Sequence, residues 1–377
     1  MEMNTAEKLA ELRKKIDLID NKMAPLFEER MDISRQIAEV KGAGNLAIVD
    51  DAREQQVVDQ AVALVGDDLN GEIQLLMRTM LAISKEMQRR TLFAGGGIKL
   101  LPPPRKPVQG HITCAFQGLP GAWSEQALMK LFPNADRLSV EFFEDVFTAV
   151  KEKRAAYGIV PIENSKTGAI GETYDLLRKF GCFIVGRTWI DIHQCLIAPH
   201  GTALSDVREI FSHPEGFKQC SRFLHGRAWD LTACRNTAVA AEMVAKSGNG
   251  RTAAIGSRRA AEINGLNVLA PDIMDAADNR TSFVVISTEP EYDEHDNLIS
   301  VTFSAPHRSG ALCEILLPFM ASELNMMRIE SRPAGPGQYR FFVEIQGSVM
   351  DENTIEALRH ASVSCEYFEV IGCYSDN

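Results

Sequence analysis

Charged side chains interrupt an apolar pattern near the start of the chain. Apolar residues recur there at alternating spacings of three and four, and Arg30 occupies a position where that pattern expects an apolar side chain. Lys41 follows eleven residues later, about 20° away around an ideal helix, so both cations face one side. Two cations inside an apolar seam, with polar groups within reach, are typical of a pocket for a small anion.

Further polar residues could complete this pocket. Arg13 lies seventeen residues before Arg30, about 25 Å away along a continuous helix, so the two cannot easily hold one small ligand from the same chain. If Arg13 belongs to such a site, we expect it to be the site of a partner subunit. The other candidates lie shortly after Lys41 or at i,i+4 spacing on a later helix, and they are Asp50, Arg53, Glu54, Ser84 and Gln88.

A second group of candidates lies at predicted strand ends and helix starts, where α/β folds build their sites. Taken singly, each cluster could be only a turn or a helix cap. Taken together, they predict a polar cleft. The clusters are GLPGAWS (118–124), VPIENSKTGAIG (160–171), SHPEGFKQC (212–220) and NRTSF (279–283).

The first ninety residues are predicted to be helical almost throughout. The apolar seam continues to Val40, Asp50 or Asp51 can cap a second helix that ends near Val65, and a third helix spans residues 71–90. Pro25 lies within the first helix, where a proline costs about 3 kcal/mol or introduces a kink. Because three such helices cannot easily enclose a core alone, we expect a helical dimer.

The composition then changes along the chain. A helical domain at 1–93 is followed by a glycine- and proline-rich linker at 94–110. Alternating strands and helices at 111–288 predict an α/β domain of two lobes with a cleft between them. The last unit, 297–377, has the predicted order strand, helix, strand, strand, helix, strand, which is ferredoxin-like βαββαβ. The predicted fold class is therefore multidomain: all-α, then two-lobed α/β, then ferredoxin-like.

Composition excludes several classes of protein. The 377 residues carry a net charge of −11 without a basic block, which argues against nucleic acid as a partner. Apolar runs are too short to span a membrane, and the start of the chain does not resemble a signal peptide. The eight cysteines form no CxxC motif, and HExxH is absent. We expect a cytoplasmic protein that needs no metal or cofactor.

The helical segment resembles the all-helical chorismate mutase family. The similarity rests on LRKKID (12–17), EER (28–30), Lys41, DDARE (50–54) and SKEMQ (84–88). It implies a dimer that shares its first helix and a [3,3] rearrangement of chorismate to prephenate, with Lys41 as the main catalytic residue. The resemblance implies that Arg13 and Arg30 bind the two substrate carboxylates and that Lys41 and Gln88 face the ether oxygen. It also implies that Asp50, Glu54 and Ser84 hold the ring hydroxyl side and that Arg53 supports the pocket.

Residues 112–286 resemble prephenate dehydratase. PIENS followed by Gly168, and SHP followed by Gln219 and Cys220, carry the similarity. Where the family has Thr-Arg-Phe, this chain has Thr-Ser-Phe, with Ser282 at the arginine position. Either of two residues could donate the proton to the departing hydroxyl. The implied functional residues are Glu163, Asn164, Ser212, Gln219 and Thr281, of which Glu163 and Thr281 are the two candidate donors.

The last unit resembles the ACT regulatory domain. The similarity rests on Gly310, Ala311 and Leu312 before its first helix, and on the ESRP sequence Glu330, Ser331, Arg332 and Pro333. It implies that phenylalanine binds at an interface between two such domains and inhibits the enzyme.

The whole order resembles the bifunctional chorismate mutase–prephenate dehydratase family. The implied substrates are chorismate and prephenate, and the implied assembly is a homo-oligomer that is at least a dimer. Two alternatives stay open at this point. The helical segment could be only a dimerisation arm, or the chain could be a binding protein without catalytic activity.

Overall fold

The computed structural model describes residues 5–92, 100–335 and 337–376. Its N-terminal part is helical, as predicted. Pro25 lies inside an unbroken first helix. Of the two candidate caps of the second helix, Asp50 is the one used, because its side chain accepts a hydrogen bond from the Arg53 amide at 3.0 Å. The helices are α1 (Thr5–Ala43), α2 (Asp51–Val62) and α3 (Asn70–Leu92), with a single 3₁₀ turn at Asp67–Leu69.

Helix α1 packs on α3 near its C-terminal end only. Its buried residues are Met31, Ser34 and Ala38. The first two-thirds of the helix therefore present an apolar stripe to solvent. The exposed apolar residues that form this stripe are Leu9, Leu12, Ile16, Ile19, Met23 and Leu26.

The first six residues of the predicted linker, 94–99, lie outside the described residues, and so does residue 93. The described remainder of the linker contacts the α/β unit. Arg105 pairs with Glu291 at 2.7 Å, and the Val108 amide donates to the hydroxyl of Tyr157 at 3.0 Å. Leu101 is buried in the C-terminal core. This part of the linker therefore has fixed neighbours despite its proline-rich sequence.

Within the described ranges, the strands form a ten-stranded and a five-stranded sheet. The first lobe of the α/β unit contributes β1 (Thr113–Gln117), β2 (Asp136–Val140), β3 (Tyr157–Asn164), β4 (Gly168–Ala169) and β5 (Phe183–Asp191). The second lobe holds β6 (Cys195–Ala198), β7 (Glu209–Ser212), β8 (Asp230–Ala233), β9 (Thr252–Gly256) and β10 (Asn267–Ala270). The chain then returns to the first lobe as β11 (Arg280–Ser287), which pairs with β3 and β5.

Helices cover both sheets. The first lobe has α4 (Trp123–Leu131), α5 (Phe143–Lys151) and α6 (Gly171–Phe180); the second has α7 (Pro214–Gln219), α8 (Ser221–Leu224), α9 (Thr237–Ser247) and α10 (Arg258–Ile263). Each lobe has an apolar core between its sheet and helices, with Phe147 and Ile162 in one and Ile197 and Val244 in the other. Because the chain crosses twice between two separately packed lobes, a cleft forms where they face each other.

The C-terminal unit has the predicted element order. Its elements are β12 (Leu298–Ser304), α11 (Ala311–Ala321), β13 (Met326–Gly335), β14 (Gln338–Gln346), α12 (Glu352–Ser362) and β15 (Tyr367–Tyr374). The order of its strands across the sheet is β13-β14-β12-β15. The core lies between this sheet and the two helices, around Val301, Phe303, Ile315 and Phe319.

This unit does not have a sheet of its own, which the division into modules did not anticipate. Strand β15 pairs in parallel with β5 at Gly372 and Ile184, so the sheet continues into the first lobe. A Cβ at Gly372 would lie 2.5 Å from the carbonyl oxygen of Ile184. Glycine therefore allows the two edges to meet. Among the residues described, no helix has the length and apolar character of a membrane span.

Two candidate active sites

The first candidate site lies where α1 and α3 pack together. Arg30 Nη1 donates to Ser84 Oγ at 2.6 Å and to the carbonyl oxygen of Met80 at 3.4 Å. Ser84 is buried, and burial lowers the pKa of Arg30 from its ordinary value. The structure therefore brings Arg30 and Ser84 into contact.

Gln88 lies one helical turn beyond Ser84, on the same face of α3. Its Nε2 donates to Ser34 Oγ at 3.2 Å, and its buried Oε1 has no hydrogen-bond partner within the described part of the chain. A buried acceptor without a partner is costly, so this oxygen is a candidate ligand contact. Ser34 lies on the buried face of α1 and was not identified from the sequence.

Lys41 reaches the loop that precedes α2. Its Nζ donates to the carbonyl oxygen of Ile48 at 2.6 Å. Asp50 and Arg53 are exposed, and Arg53 Nη1 donates to Gln56 at 2.8 Å. In this structure the two predicted site residues Asp50 and Arg53 therefore form the N-terminus of α2, with their side chains exposed to solvent.

Glu54 is held by a cation that sequence reasoning missed. Lys85 Nζ lies 2.9 Å from Glu54 Oε2 and 3.0 Å from Oε1 of Glu314, which belongs to α11. Burial opposes the charged form of Glu314, but hydrogen bonds from Arg308 and Lys85 hold its pKa below the ordinary value. Lys85 follows Ser84 on α3, and this position could have identified it as a candidate site residue. The sequence did not indicate that Glu314 lies near it.

Arg13 is exposed on the N-terminal half of α1, away from the buried end of that helix. The structure of one chain therefore does not bring Arg13 together with Arg30. This placement is what the helix length requires, since seventeen residues of α-helix span about 25 Å.

The second candidate site is a cleft of about 430 Å³ between the two lobes of the α/β unit. This volume lies within the usual range for small-molecule sites. Its walls come from both lobes and include Gln117 and Thr281 from the first and Gln219 and Asn236 from the second.

Asn164 and Thr281 face each other on paired strands at the cleft. They are register partners on β3 and β11, and Asn164 Nδ2 donates to Thr281 Oγ1 at 3.0 Å. The backbone amides of Lys166 and Thr167 donate to Asn164 Oδ1 at 3.0 and 3.1 Å. These two bonds fix the orientation of the amide, so Nδ2 must point at Thr281. Thr281 thus accepts from Asn164 and keeps its own hydrogen available for a ligand.

Glu163 is not among the described residues that line the cleft, although it is adjacent to Asn164. A register irregularity in the pairing of β3 with β11 separates Pro161, opposite Phe283, from Glu163, opposite Ser282. Glu163 forms an ion pair with Arg328 of β13. In this structure Thr281 therefore lines the cleft, whereas Glu163 contacts Arg328.

Ser212 and Gln219 occupy different places relative to the cleft. Ser212 is fully buried, and its hydroxyl donates to the carbonyl oxygen of Ile255 at 3.2 Å. Ser212 therefore links β7 to β9 inside the second lobe. Gln219 lines the cleft and accepts from Gln194 Nε2 at 3.1 Å. Gln194 also lines the cleft, and its buried Oε1 is unpaired within the described ranges. Sequence reasoning missed Gln194.

Arg280 does not replace the family's arginine. It is exposed, and its guanidinium carbon lies 4.4 Å from the ring centroid of Trp189. Ser282, at the arginine position, is fully buried. Glu163 is the register partner of Ser282, and it forms an ion pair with Arg328.

The residues predicted to bind an effector fall into two separate groups. Ala311 and Leu312 line a cavity of about 280 Å³, together with His307, Arg308 and Tyr339. Gly310 is the N-cap of α11. The ESRP residues Glu330, Ser331, Arg332 and Pro333 lie on β13, and Arg332 pairs with Asp175 of α6 at 2.9 Å. One chain therefore does not bring the two motifs to a common pocket.

Family models match both the helical part and the α/β part of the chain. The prephenate dehydratase family model matches residues 114–291, and the chorismate mutase type II model matches residues 12–89. A bifunctional chorismate mutase/prephenate dehydratase of Neisseria gonorrhoeae is 30% identical over 379 residues, which cover 99% of each chain.

Two further relatives each match 70% of this chain. An arogenate dehydratase/prephenate dehydratase of Arabidopsis thaliana is 35% identical over 277 residues, 70% of this chain and 73% of that one. The crystal structure of a prephenate dehydratase of Arthrobacter aurescens in complex with L-Phe has a TM-score of 0.65 and 30% identity. It covers 70% of this chain and 90% of its own. This chain therefore belongs to the bifunctional chorismate mutase/prephenate dehydratase family.

Proposed function

We propose that this chain catalyses two successive reactions of phenylalanine biosynthesis, from chorismate to prephenate and from prephenate to phenylpyruvate. The observation that carries the proposal is that two polar sites are built from separate sets of residues. One set surrounds Arg30 and Ser84 between helices, and the other surrounds Asn164 and Thr281 between lobes.

The helical site suits a rearrangement that needs no proton transfer. In this reaction the ether C–O bond breaks as a C–C bond forms, so the site has to hold the reactive shape and stabilise negative charge on the ether oxygen. Arg30 is positioned to orient a substrate carboxylate, with Lys41 and Gln88 assigned to the ether oxygen. Glu54 and Ser84 are assigned to the ring hydroxyl side. Asp50 and Arg53 would join the site only if the N-terminus of α2 closes over the substrate.

A second copy of the chain would complete this site. The exposed apolar stripe of α1 is the surface that a partner's α1 would cover, and such apolar stripes are typical of helical interfaces. A partner packed along this stripe would bring its Arg13 to the carboxylate that Arg30 does not hold. The proposed assembly is therefore at least a dimer.

The cleft suits decarboxylation coupled to loss of a hydroxyl group. The bond from the ring to its carboxylate breaks, its electron pair enters the ring, and the hydroxyl leaves as water after taking up a proton. Thr281 is the proposed donor to that hydroxyl, because Asn164 occupies its acceptor side and leaves its hydrogen available. Glu163 is paired with Arg328 and is assigned a structural role.

The C-terminal unit is proposed to be an ACT domain that binds phenylalanine. The cavity beside Ala311 and Leu312 supports this, as does the L-Phe complex of the Arthrobacter protein. Because the ESRP strand lies apart from this cavity, the complete site requires a second copy of the unit. We also propose a cytoplasmic location, since the cysteines are free thiols, which persist in reducing compartments.

The test is to supply purified protein with chorismate, prephenate or arogenate and to follow each product. Arogenate is included because the Arabidopsis relative is named for both activities. The proposal expects chorismate and prephenate both to yield phenylpyruvate. Absence of chorismate turnover would reduce the helical part to a dimerisation arm, and absence of any turnover would leave a binding protein.

A further inference from the structure

The dehydratase cleft has an unusual shortage of positive charge for the substrate proposed above, on which this inference rests. Prephenate carries two carboxylates. Of the cleft-lining residues that the structure describes, Glu141, Glu172 and Glu215 are acidic, and Arg235 is the one arginine or lysine. Burial lowers the pKa of His213, the histidine among these lining residues, which favours its neutral form.

Arg280 and Arg328, which lie near the cleft, contact other residues of the protein. Arg280 stacks on Trp189 outside the cleft, and Arg328 is occupied by Glu163 and Glu344. Residue 282 is a serine. Arg235, which lines the cleft from the second lobe, is therefore the cation best placed to contact the substrate.

Arg235 crosses the mouth of the cleft from one lobe to the other. It lies between β8 and α9 in the second lobe and pairs with Glu141, which follows β2 in the first lobe. Its guanidinium carbon is 5.5 Å from the ring centroid of Phe142. The side chains of Arg235 and Glu141 are 47% and 55% exposed, and such exposed pairs contribute little to stability. Arg235 can therefore exchange Glu141 for another carboxylate at little cost.

We infer that Arg235 is a substrate-binding residue of the dehydratase, which releases Glu141 and takes the side-chain carboxylate of prephenate. Guanidinium groups bind carboxylates through two parallel hydrogen bonds, which fixes orientation as well as charge.

The choice of carboxylate follows from the chemistry. The ring carboxylate leaves as neutral CO₂, so a cation bound to it would stabilise the reactant more than the transition state. The side-chain carboxylate keeps its charge throughout, and a cation there can orient the ring without opposing the reaction. Glu141 then acts as a competitor that holds Arg235 until substrate arrives.

The test compares single variants of the full-length protein in steady-state prephenate turnover. Arg235→Gln is expected to raise the dehydratase KM at least tenfold, with partial rescue in Arg235→Lys. Glu141→Gln is expected to leave KM unchanged or lower it, because it removes the competitor. Arg154→Gln is the matched control, since Arg154 and its partner Glu152 are similarly exposed and both lie in one lobe. Its KM should stay at the wild-type value.

Two outcomes would overturn the inference. A KM within twofold of wild type in Arg235→Gln would show that Arg235 does not hold substrate. Equal increases in KM in Arg235→Gln and Glu141→Gln would show that the pair only fastens the lobes together. A dehydratase kcat close to that of wild type in each variant shows that the α/β unit is folded, and unchanged chorismate turnover shows the same for the helical unit. Failure of the proposed function would look different, because wild-type protein itself would not consume prephenate.

Discussion

Lys85 of α3 and Glu314 of α11 form an ion pair of 3.0 Å that joins the helical unit to the C-terminal unit. The same ammonium group holds Glu54, a predicted mutase residue, at 2.9 Å. Arg308, which lines the proposed effector cavity, also pairs with Glu314. The predicted mutase site and the C-terminal unit therefore share one network of charges.

Replacing Lys85 with methionine should destabilise this junction. The Lys85 and Glu314 side chains are only 9% and 11% exposed. Removal of Lys85 takes away the cation paired with Glu54, while Glu314 keeps its pairs with Arg308 and Arg89. We expect the free energy of unfolding of the helical unit to fall by on the order of 3 kcal/mol. The fall is measured as a shift of the midpoint of urea unfolding of that unit. Lys15→Met, which breaks an exposed pair with Glu11, is the control and should change stability by less than about 0.5 kcal/mol. Equal shifts in both variants would contradict the prediction.

A second contact at this junction predicts a pH dependence. Arg90 Nη1 lies 2.7 Å from His360 Nε2, so His360 must be neutral to accept. Burial and the charge of Arg90 lower the pKa of His360, while Glu356 opposes them; Glu86 lies 3.9 Å from its ring. Because the unfolded chain binds this proton more readily, stability should fall as pH drops below about 6.5.

The measurement is the unfolding free energy of wild type and His360→Gln between pH 5 and 8. The difference between the two proteins should change with pH in this window, with wild type losing stability faster on the acidic side. A constant difference would contradict the assignment of His360 as the neutral acceptor.

Thr281 and Glu163 are the two candidate proton donors of the dehydratase, and variants that affect them are expected to differ in kcat. Asn164→Ala should lower the dehydratase kcat at least a hundredfold, because it removes the amide that orients Thr281. Glu163→Gln should keep kcat within about threefold, since Glu163 contacts Arg328 outside the cleft. The urea unfolding midpoint serves as the folding control of the α/β unit in both variants, and chorismate turnover serves as that of the helical unit. A larger loss in Glu163→Gln than in Asn164→Ala would reverse the assignment.

The sequence could predict elements and local pairs, but not contacts between units. The heptad seam gave the long helices, and i,i+4 spacing placed Ser84 and Gln88 on one face. The sequence could not show that Glu163 and Thr281 lie apart. The register irregularity beside residue 162 places Glu163 opposite Ser282, although Pro161, two residues earlier, lies opposite Phe283.

Lys85, Gln194 and Arg235 show a different limit. Each acts through a partner far away along the chain, such as Glu314 for Lys85 or Glu141 for Arg235. Spacing along a helix or strand cannot reveal such contacts. The continuation of the C-terminal sheet into the first lobe through Gly372 was hidden for the same reason.

Phenylalanine should inhibit prephenate turnover, and Arg332→Ala should weaken that inhibition at least tenfold in concentration. Arg332 lies on the ESRP strand and touches α6 of the dehydratase lobe through Asp175, so it can report effector binding to the cleft. Arg359→Ala is the control, since this exposed arginine of the same unit pairs only locally with Glu356 in the contacts described. Equal sensitivity of wild type and Arg332→Ala would argue against the proposed effector site.

The central claim is that one chain holds two independent active sites, and two variants test it most directly. Lys41→Ala and Thr281→Val are each assayed with chorismate and with prephenate under identical conditions. We predict that Lys41→Ala loses chorismate turnover but still converts prephenate, that Thr281→Val accumulates prephenate from chorismate, and that a mixture of the two again forms phenylpyruvate. Loss of both activities in either folded variant would contradict the claim.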